Sequence, residues 1–376
     1  MSYQLAAASF SLLVKGHDVL ISVKAPGKLY IAGEYAVVET GFPAIIVALD
    51  QFVTVTIRSA DQIGSIVSSQ YQENSIYWRR EEGEMVFDNR DNPFHYILSA
   101  IKVTEDYAKT VGKDLGIYHL TVESDLDSKD GRKYGLGSSA AVTVATIKAL
   151  CEFYALPVDH DKLFKLAAIA HFHVQGNGSL GDIAASVYGG WIAYRSFDRD
   201  WLKLAEKSYN FAELLDMDWP GLDIELLTPP KSLKLLVGWT GSPASTSHLV
   251  DRVALNKAKR QQAYQDFLNN SQACLKRMIA GFRSQDLHAI QTEIAINRKL
   301  LNELDQFTHA HIETPLLTKL CDIAEEFGGI AKTSGAGGGD CGIAIIDSHK
   351  QLNQLIEKWA ANQIIPLSFN VHHVKE

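Results

Sequence analysis

Residues 135–150, which read GLGSSAAVTVATIKAL, constrain the fold and the function more than any other stretch of the sequence. Gly135 and Gly137 have no Cβ atom, so the backbone can bend sharply here and come close to a ligand. Ser138 and Ser139 are good N-cap residues, and neither proline nor glycine interrupts the segment that follows. A helix that begins here would direct unpaired N–H groups and the positive end of its dipole at one point, which suits a phosphate. An ordinary Gly-Ser turn that caps a core helix would have the same pattern.

Length and composition limit the classes of protein to which the chain can belong. Its 376 residues are enough for two domains with substantial cores, and its net charge of −8 argues against nucleic acid or an acidic membrane as a partner. The four cysteines form no CxxC pair or zinc spacing, which predicts reduced thiols in a cytoplasmic protein. Residues 1–19 are predicted to be an N-terminal extension rather than a signal peptide, because no positive charge precedes LAAASFSLLV.

Strand and helix patterns alternate in both halves of the chain, which favours an α/β or α+β protein of two domains. Pro26 and Gly27 predict a break in the first strand. The Trp- and Asp-rich connection at 198–223 indicates a domain boundary, so we predict one domain over 20–225 and another over 226–376. Apolar and alternating runs predict further strands at 45–57, 64–68, 75–79, 117–123, 191–194, 233–239, 341–347 and 366–374.

Two other glycine-containing motifs accompany residues 135–150: KAPGKLYIAGEYAVV at 24–38 and SGAGGGD at 334–340. Their order and spacing resemble the GHMP kinase superfamily, named for galactokinase, homoserine kinase, mevalonate kinase and phosphomevalonate kinase. Within it, the motifs QGNGSLGDIAA, WTGSPASTS and SGAGGGDCGIA are similar to those of the phosphomevalonate kinases. The resemblance covers about residues 20–376. It implies an α+β fold with a ribosomal-protein-like N-terminal domain, a ferredoxin-like C-terminal domain and ATP bound between them.

The resemblance also assigns the nucleotide positions, since in this superfamily the middle glycine motif wraps the triphosphate. This is not the GxxxxGK[ST] loop, because no lysine follows the glycines. Backbone N–H groups would hold phosphate oxygens, and the Ser139 hydroxyl would be a ligand of Mg²⁺. The predicted ATP-binding residues are Gly135, Leu136, Gly137, Ser138, Ser139 and Ala140.

Asp182 in GSLGD matches the catalytic aspartate of the superfamily, and Lys28 in APGK matches a lysine near the transferred phosphate. From the residues alone, Asp182 could equally be a helix cap, and Lys28 could be a solvated lysine at a strand end. A paired Lys28 and Asp182 would keep both groups charged. One position departs from mevalonate kinases, whose second acidic metal ligand lies where this chain has His171. Since Mg²⁺ prefers oxygen, we expect His171 and His173 to serve in helix packing and capping.

The acceptor site is predicted from the resemblance and from the charge of the substrate. Phosphomevalonate carries a carboxylate and a phosphate, so cations are needed, and Lys24, Lys28, Arg298 and Lys332 are the candidates. The alternative for Arg298 is a surface ion pair on a helix. The predicted acceptor-binding residues are Glu34, Tyr35, Ser179, Ser245, Thr246, Arg298, Gly335, Ala336 and Gly337.

The function that the resemblance implies is ATP- and Mg²⁺-dependent phosphorylation of 5-phosphomevalonate to 5-diphosphomevalonate, in the mevalonate route to isopentenyl diphosphate. Small molecules are then the partners, and we expect a monomer or homodimer in the cytoplasm. A mevalonate kinase with a hydroxyl acceptor is the nearest alternative, and diphosphomevalonate decarboxylase is a more distant one. A non-catalytic sensor with the same fold is an alternative from another class. Such a sensor could dispense with Lys28 and Asp182, which this chain has.

Overall fold

The structure is a computed structural model, and it describes residues 19–70, 74–87, 93–128, 132–242, 249–251, 253–254 and 260–374. Two β-sheets with helices packed against them account for most of these residues. Among them, no helix combines the length and the apolar character that a membrane crossing requires.

The larger sheet contains eight strands, which are, in chain order, β1 (Leu20–Ala32), β2 (Pro43–Ala60), β3 (Gly64–Ser68), β4 (Ile76–Glu81), β5 (Glu84–Phe87), β6 (Ile117–Ser124), β7 (Trp191–Arg195) and β8 (Asp223–Leu227). The long strand β2 is its centre, because β1 pairs along one edge of it and β6 and β7 pair along the other. Along that second edge, the sheet continues from β6 through β3 and β4 to β5, and from β7 to β8. Only β3 and β6 are parallel within this described sheet.

Helices cover the face of this sheet, and the one predicted after the glycine motif begins at Ser138. They are α1 (His95–Thr110), α2 (Ser138–Phe153), α3 (His160–Gln175), α4 (Gly181–Tyr188), α5 (Arg199–Ser208) and α6 (Phe211–Asp216). The buried face of α2 is rich in alanine, which lets the helix lie close to β1 and β2. Asp159 caps α3, since its carboxylate accepts from the backbone N–H of Lys162 at 2.8 Å.

The smaller sheet has the strand order β10-β11-β9-β12, and all of its pairs are antiparallel. These strands are β9 (Leu233–Trp239), β10 (Ile330–Thr333), β11 (Cys341–Asp347) and β12 (Ile365–Leu367). The helices of this half are α7 (Gln261–Arg283), α8 (Leu287–Thr308), α9 (Pro315–Glu326) and α10 (Leu352–Ala361). A separate core lies between this sheet and helices α9 and α10, where buried Trp359 donates to the carbonyl of Leu320 at 3.0 Å.

Two predictions about the chain path need correction. Strand β1 is not interrupted at Pro26 and Gly27; instead its register with β2 shifts between Pro26 and Lys28, which lets the strand continue past the proline. The strand predicted over 366–374 ends at Leu367, and beyond it Val371 forms a single bridge to Leu49 of β2 and His373 forms one to Gly189, just before β7. The domain boundary stays a proposal, and we place it at 228–232 because a boundary after residue 225 would cut β8, which pairs with β7.

Candidate active site

A cleft of about 500 Å³ brings most of the predicted site residues together. It is bordered by the end of β1, the segment before α2, the start of α4 and the loop between β10 and β11. Residues that are far apart in the sequence therefore meet in one cavity that both sheets help to form. The predicted residues that line it are Lys28, Glu34, Tyr35, Gly135, Leu136, Gly137, Ser138, Ser139, Ser179, Asp182, Gly335 and Ala336.

The glycine loop, which we define as residues 135–137, has a backbone suited to close approach by a phosphate. Gly135 and Gly137 have left-handed conformations, with φ of 81° and 78°, which residues with a Cβ rarely adopt. Helix α2 begins at Ser138 with Gly137 as its N-cap, and no side-chain hydrogen bond caps it. The predicted serine cap is therefore wrong, and the serine hydroxyls are not used in capping. Ala140 is fully buried in the first turn, so it does not line the cleft.

Lys28 is buried at the register shift in β1 and is held against the glycine loop. Its backbone N–H donates to the carbonyl of Leu136 at 2.9 Å, and its Nζ donates to the carbonyl of Gly135 at 3.2 Å. A Cβ atom on Gly137 would lie 2.9 Å from Lys28 Cε, so this glycine makes room for the lysine. The ammonium group therefore faces the same loop as the one predicted to hold the phosphates.

Asp182 lies in the first turn of α4, where its Oδ1 accepts from the N–H of Ile183 at 3.0 Å. Burial lowers the pKa of Lys28, and the Asp182 carboxylate is the largest of the charges that oppose this shift. Within the part of the chain that the structure describes, the two side chains line one cleft without a direct ion pair. Lys28 and Asp182 can therefore both face a group that is transferred in this cleft.

The structure places His171 beside Ser139. His171 Nε2 lies 3.2 Å from Ser139 Oγ, whereas the buried Nδ1 has no hydrogen-bond partner among the described residues. Burial lowers the pKa of His171, which favours the neutral ring. The ring packs against Tyr96 at 4.8 Å between centroids, as predicted for a packing residue, but it also lines the cleft.

The cleft suits Mg²⁺, because this ion prefers oxygen ligands. The side chains that line the cleft include the Ser139 hydroxyl and the carboxylates of Asp182 and Asp340. In the described segments, no group of three His, Cys, Asp or Glu side chains could hold a metal ion alone. A cation here would also need oxygens from bound phosphates and water, which is how Mg²⁺ is commonly held in kinases.

Glu34 and Tyr35 lie directly after β1, where the two halves of the molecule meet. Glu34 is 3% exposed and forms an ion pair with Lys332 of β10, which is 0% exposed. Its second carboxylate oxygen, Oε2, has no hydrogen-bond partner among the described residues. The Tyr35 hydroxyl donates to the carbonyl of Ala336 at 2.5 Å. Both predicted residues thus contact the C-terminal domain as well as the cleft.

Several predicted acceptor contacts are not found in the cleft. Arg298 lies on α8 and forms ion pairs with Glu313 at 2.7 Å and Glu325 at 2.9 Å, and it does not line the cleft. This agrees with the alternative interpretation of Arg298 as a member of an ion pair on a helix. Gly337 packs against the backbone, since a Cβ there would lie 2.2 Å from the carbonyl oxygen of Ile312. Lys24 also lies outside the cleft lining, with its Nζ 5.5 Å from the Phe52 ring. The predicted Ser245 and Thr246 are outside the described residues.

The cleft also contains polar residues that the sequence did not single out. The Tyr30 hydroxyl lies 2.8 Å from Ser179 Oγ and so orients that predicted serine. Lys133 and Asp340 line the cleft as well. Asp340 ends the motif SGAGGGD, and its position after three glycines could have identified it as a candidate site residue.

Comparisons with known proteins identify the family of the chain. The chain matches the GHMP kinases N terminal domain at residues 95–190 and the GHMP kinases C terminal family at residues 278–364. The phosphomevalonate kinase of Streptomyces sp. (strain CL190) is 39% identical over 355 residues, or 91% of this chain and 95% of that protein. The chain belongs to the phosphomevalonate kinase family.

A solved structure from this family has the same fold as this chain. The Streptococcus pneumoniae phosphomevalonate kinase in complex with phosphomevalonate and AMPPNP superposes with a TM-score of 0.81 at 32% identity, covering 94% of this chain and 100% of that one. The mevalonate kinase of Methanocaldococcus jannaschii is more distant, at 27% identity over 89% of this chain and 95% of that protein. The predicted superfamily, fold and subfamily are confirmed.

Proposed function

We propose that this member of the phosphomevalonate kinase family transfers the γ-phosphoryl group of ATP to the phosphate of 5-phosphomevalonate, giving 5-diphosphomevalonate and ADP. The observation that carries this proposal is the meeting of Lys28, Asp182 and the glycine loop in one cleft. The reaction would belong to the mevalonate route to isopentenyl diphosphate. A cytoplasmic location and a monomeric or homodimeric state remain predictions.

In this proposal the N–H groups at the start of α2 hold the phosphates of ATP, since they have no partners within the helix. The glycine loop lets those phosphates come close to the backbone. Mg²⁺, when bound, would neutralise phosphate charge, and Ser139 would be one of its ligands. Lys28 would stabilise the charge on the transferred group, because its Nζ donates to the Gly135 carbonyl and so lies at the glycine loop.

Asp182 is proposed to orient Lys28 and the acceptor rather than to remove a proton. An oxygen of the acceptor phosphate attacks the γ-phosphorus, and the bond from that phosphorus to the ADP oxygen breaks, with its electron pair leaving on ADP. The second pKa of a phosphate monoester is about 6, so at a pH of about 7.5 the attacking oxygen has no proton to lose. A general base would therefore add little, in contrast to a kinase with an alcohol as acceptor.

The test is a coupled assay of ADP release with phosphomevalonate and mevalonate side by side, with Asp182→Asn as the background control. We expect kcat/KM for phosphomevalonate to exceed that for mevalonate by at least about 100-fold, since the acceptor phosphate supplies binding energy and the nucleophile. Higher kcat/KM with mevalonate would make a hydroxyl acceptor the better assignment. Ligand binding without ADP release from either compound would favour the non-catalytic sensor.

A further inference from the structure

The peptide group between Gly178 and Ser179 lies in the wall of the cleft, and the residues around it hold it in place. Both residues line the cleft, and Ser179 is 8% exposed. The Ser179 carbonyl accepts from the Tyr194 hydroxyl at 2.6 Å. The Ser179 hydroxyl lies 2.8 Å from the Tyr30 hydroxyl and accepts from the N–H of Gly181 at 3.3 Å. These contacts leave Ser179 little freedom to turn.

Arg199 holds the carbonyl of this peptide from outside the cleft. It is the first residue of α5, and one of its terminal nitrogens donates to the Gly178 carbonyl at 2.5 Å, while the other donates to the Val38 carbonyl. Gly178 and Val38 line the cleft, whereas Arg199 does not. The guanidinium therefore connects two segments of the wall, one that follows β1 and one that precedes α4.

Among the described residues, no carboxylate forms an ion pair with Arg199. The neighbouring carboxylates have other partners: Asp198 accepts from the N–H groups of Asp200 and Trp201 as the cap of α5, and Asp200 pairs with Lys203 at 3.1 Å. The helix dipole also disfavours a cation in the first turn of a helix. The helix alone therefore does not explain an arginine here, whereas its two carbonyl contacts and its charge beside the cleft do.

The N–H of Ser179 has no protein acceptor within the part of the chain that the structure describes. In a trans peptide such as this one, the N–H and the C=O point in opposite directions. Because the Gly178 carbonyl faces Arg199, the Ser179 N–H faces away from it. Backbone N–H groups at buried residues nearly always have a partner, so this one is suited to an oxygen of a bound substrate.

The position of this peptide favours the acceptor over the nucleotide. Ser179 lies three residues before Asp182, and the Tyr30 ring beside it is 5.6 Å from Lys28 Nζ. Of the described residues that line the cleft, only Lys28 and Lys133 carry an ammonium group, and Lys133 belongs to the segment just before the glycine loop. The anionic groups of the acceptor therefore need backbone donors and positive charge from behind the wall.

We infer that the Ser179 N–H, held toward the cleft by Arg199, binds an anionic oxygen of the acceptor substrate. Arg199 is then a positioning residue, which acts through the Gly178 carbonyl and adds positive charge without contacting the substrate. The inference rests on the kinase function proposed above. Phosphomevalonate has a phosphate at one end and a carboxylate at the other, and a comparison with mevalonate, which lacks the phosphate, distinguishes between them.

The test is binding of phosphomevalonate and of mevalonate to the full chain, measured by isothermal titration calorimetry without nucleotide so that no turnover occurs. We expect Arg199→Met to bind phosphomevalonate at least about tenfold more weakly than the parent, since a hydrogen bond to a charged group is lost or weakened. ADP affinity should not change, because Arg199 contacts Gly178 and Val38 and not the glycine loop. The matched control is Arg195→Met, because Arg195 of β7 lies outside the cleft, 3.8 Å from Asp223, and its loss should change neither affinity.

The pattern of losses identifies the group that is bound. A loss for phosphomevalonate alone identifies the phosphate, and equal losses for both compounds identify the carboxylate. Equal affinity of Arg199→Met and the parent for both compounds would overturn the inference. A parallel loss of ADP affinity would also overturn it, since that result means that Arg199 only stabilises the fold.

Chemical rescue separates positioning from charge alone. Arg199→Ala removes the guanidinium, and added methylguanidinium should restore acceptor affinity toward that of the parent. Methylammonium carries the same charge but lacks the planar pair of donors, so it should restore less. Equal rescue by the two cations would contradict a role for Arg199 in holding the Gly178 carbonyl.

A backbone substitution tests the N–H itself. In the Ser179→Ala background, lactic acid in place of alanine at residue 179 replaces the N–H by an ester oxygen and changes no side chain. The ester should bind the acceptor at least about fivefold more weakly than Ser179→Ala, and equal affinities would overturn the inference. A parent that binds mevalonate but not phosphomevalonate would refute the proposed function alone, because the mevalonate affinities of the same variants would still test the N–H.

Discussion

The ion pair between Lys332 and Glu34 offers a quantitative test of how the two domains are held around the cleft. The two side chains are 0% and 3% exposed, and Lys332 Nζ also donates to the carbonyl of Thr333 at 2.6 Å. Lys332→Met would leave the Glu34 carboxylate buried without a cation, and one of its oxygens already has no hydrogen-bond partner among the described residues. Removing one member of a buried pair costs about 3–5 kcal/mol, so we expect the free energy of unfolding to fall by that amount.

The assay is equilibrium unfolding in urea, followed by tryptophan fluorescence. The matched control is Lys299→Met, because Lys299 and Glu303 form a 3.7 Å pair that is 77% and 50% exposed. Loss of that exposed pair should cost at most about 1 kcal/mol. The double variant Glu34→Gln, Lys332→Met leaves no unpaired charge and should regain more than half of the lost stability. It should not regain activity, since Glu34 lines the cleft.

Two results would refute this reasoning about the buried pair. One is a loss of stability in Lys332→Met no larger than in Lys299→Met. The other is a double variant as unstable as Lys332→Met, since an unpaired Glu34 charge could then not be the cause.

Three further predictions concern the chemistry. Ser139→Ala should raise the Mg²⁺ concentration that gives half-maximal rate, with little change in stability because Gly137 is the cap; a normal Mg²⁺ response would exclude Ser139 as a ligand. Asp182→Asn should lose kcat at every pH from about 5.5 to 9, and Lys28→Met should lose at least as much. If Lys28→Met is nearly as active as the parent while Asp182→Asn is inactive, Asp182 is a general base. Since burial lowers the pKa of Lys28 from 10.5 in the free protein, its charge is lost as the pH rises through a value below 10.5, and kcat/KM, which reports on the free enzyme, should decline there; a decline of kcat/KM that begins only above 10.5 would contradict a role for the Lys28 charge.

Much of the fold could be predicted because local patterns control it. The alanine-rich stretch after Ser138 and the alternation at 117–123 each indicate one element, and β6 and α2 begin within a few residues of the predicted points. The path of β1 past Pro26 could not be predicted, because the register shift depends on pairing with β2, which is distant in the sequence. The same limit applies to β8, whose place is set by pairing with β7.

The site shows the same division between local and distant causes. Lys28, Asp182 and the glycine loop belong to recognisable motifs, and all of them line the cleft. Arg298 was predicted from its charge and geometry, but its partners on neighbouring segments decide its role. Asp340 follows three glycines in the sequence, but its place beside the glycine loop depends on the contact with Gly135, which is made between the two domains.

The central claim is that a phosphate, and not an alcohol, is the acceptor, and one experiment tests it directly. Equal amounts of phosphomevalonate and mevalonate are mixed with ATP, Mg²⁺ and enzyme, and the products are followed by ³¹P nuclear magnetic resonance. We predict that 5-diphosphomevalonate forms first, in a 1:1 ratio to ADP, while mevalonate stays unchanged. Faster consumption of mevalonate, or release of inorganic phosphate without a diphosphate product, would contradict the claim.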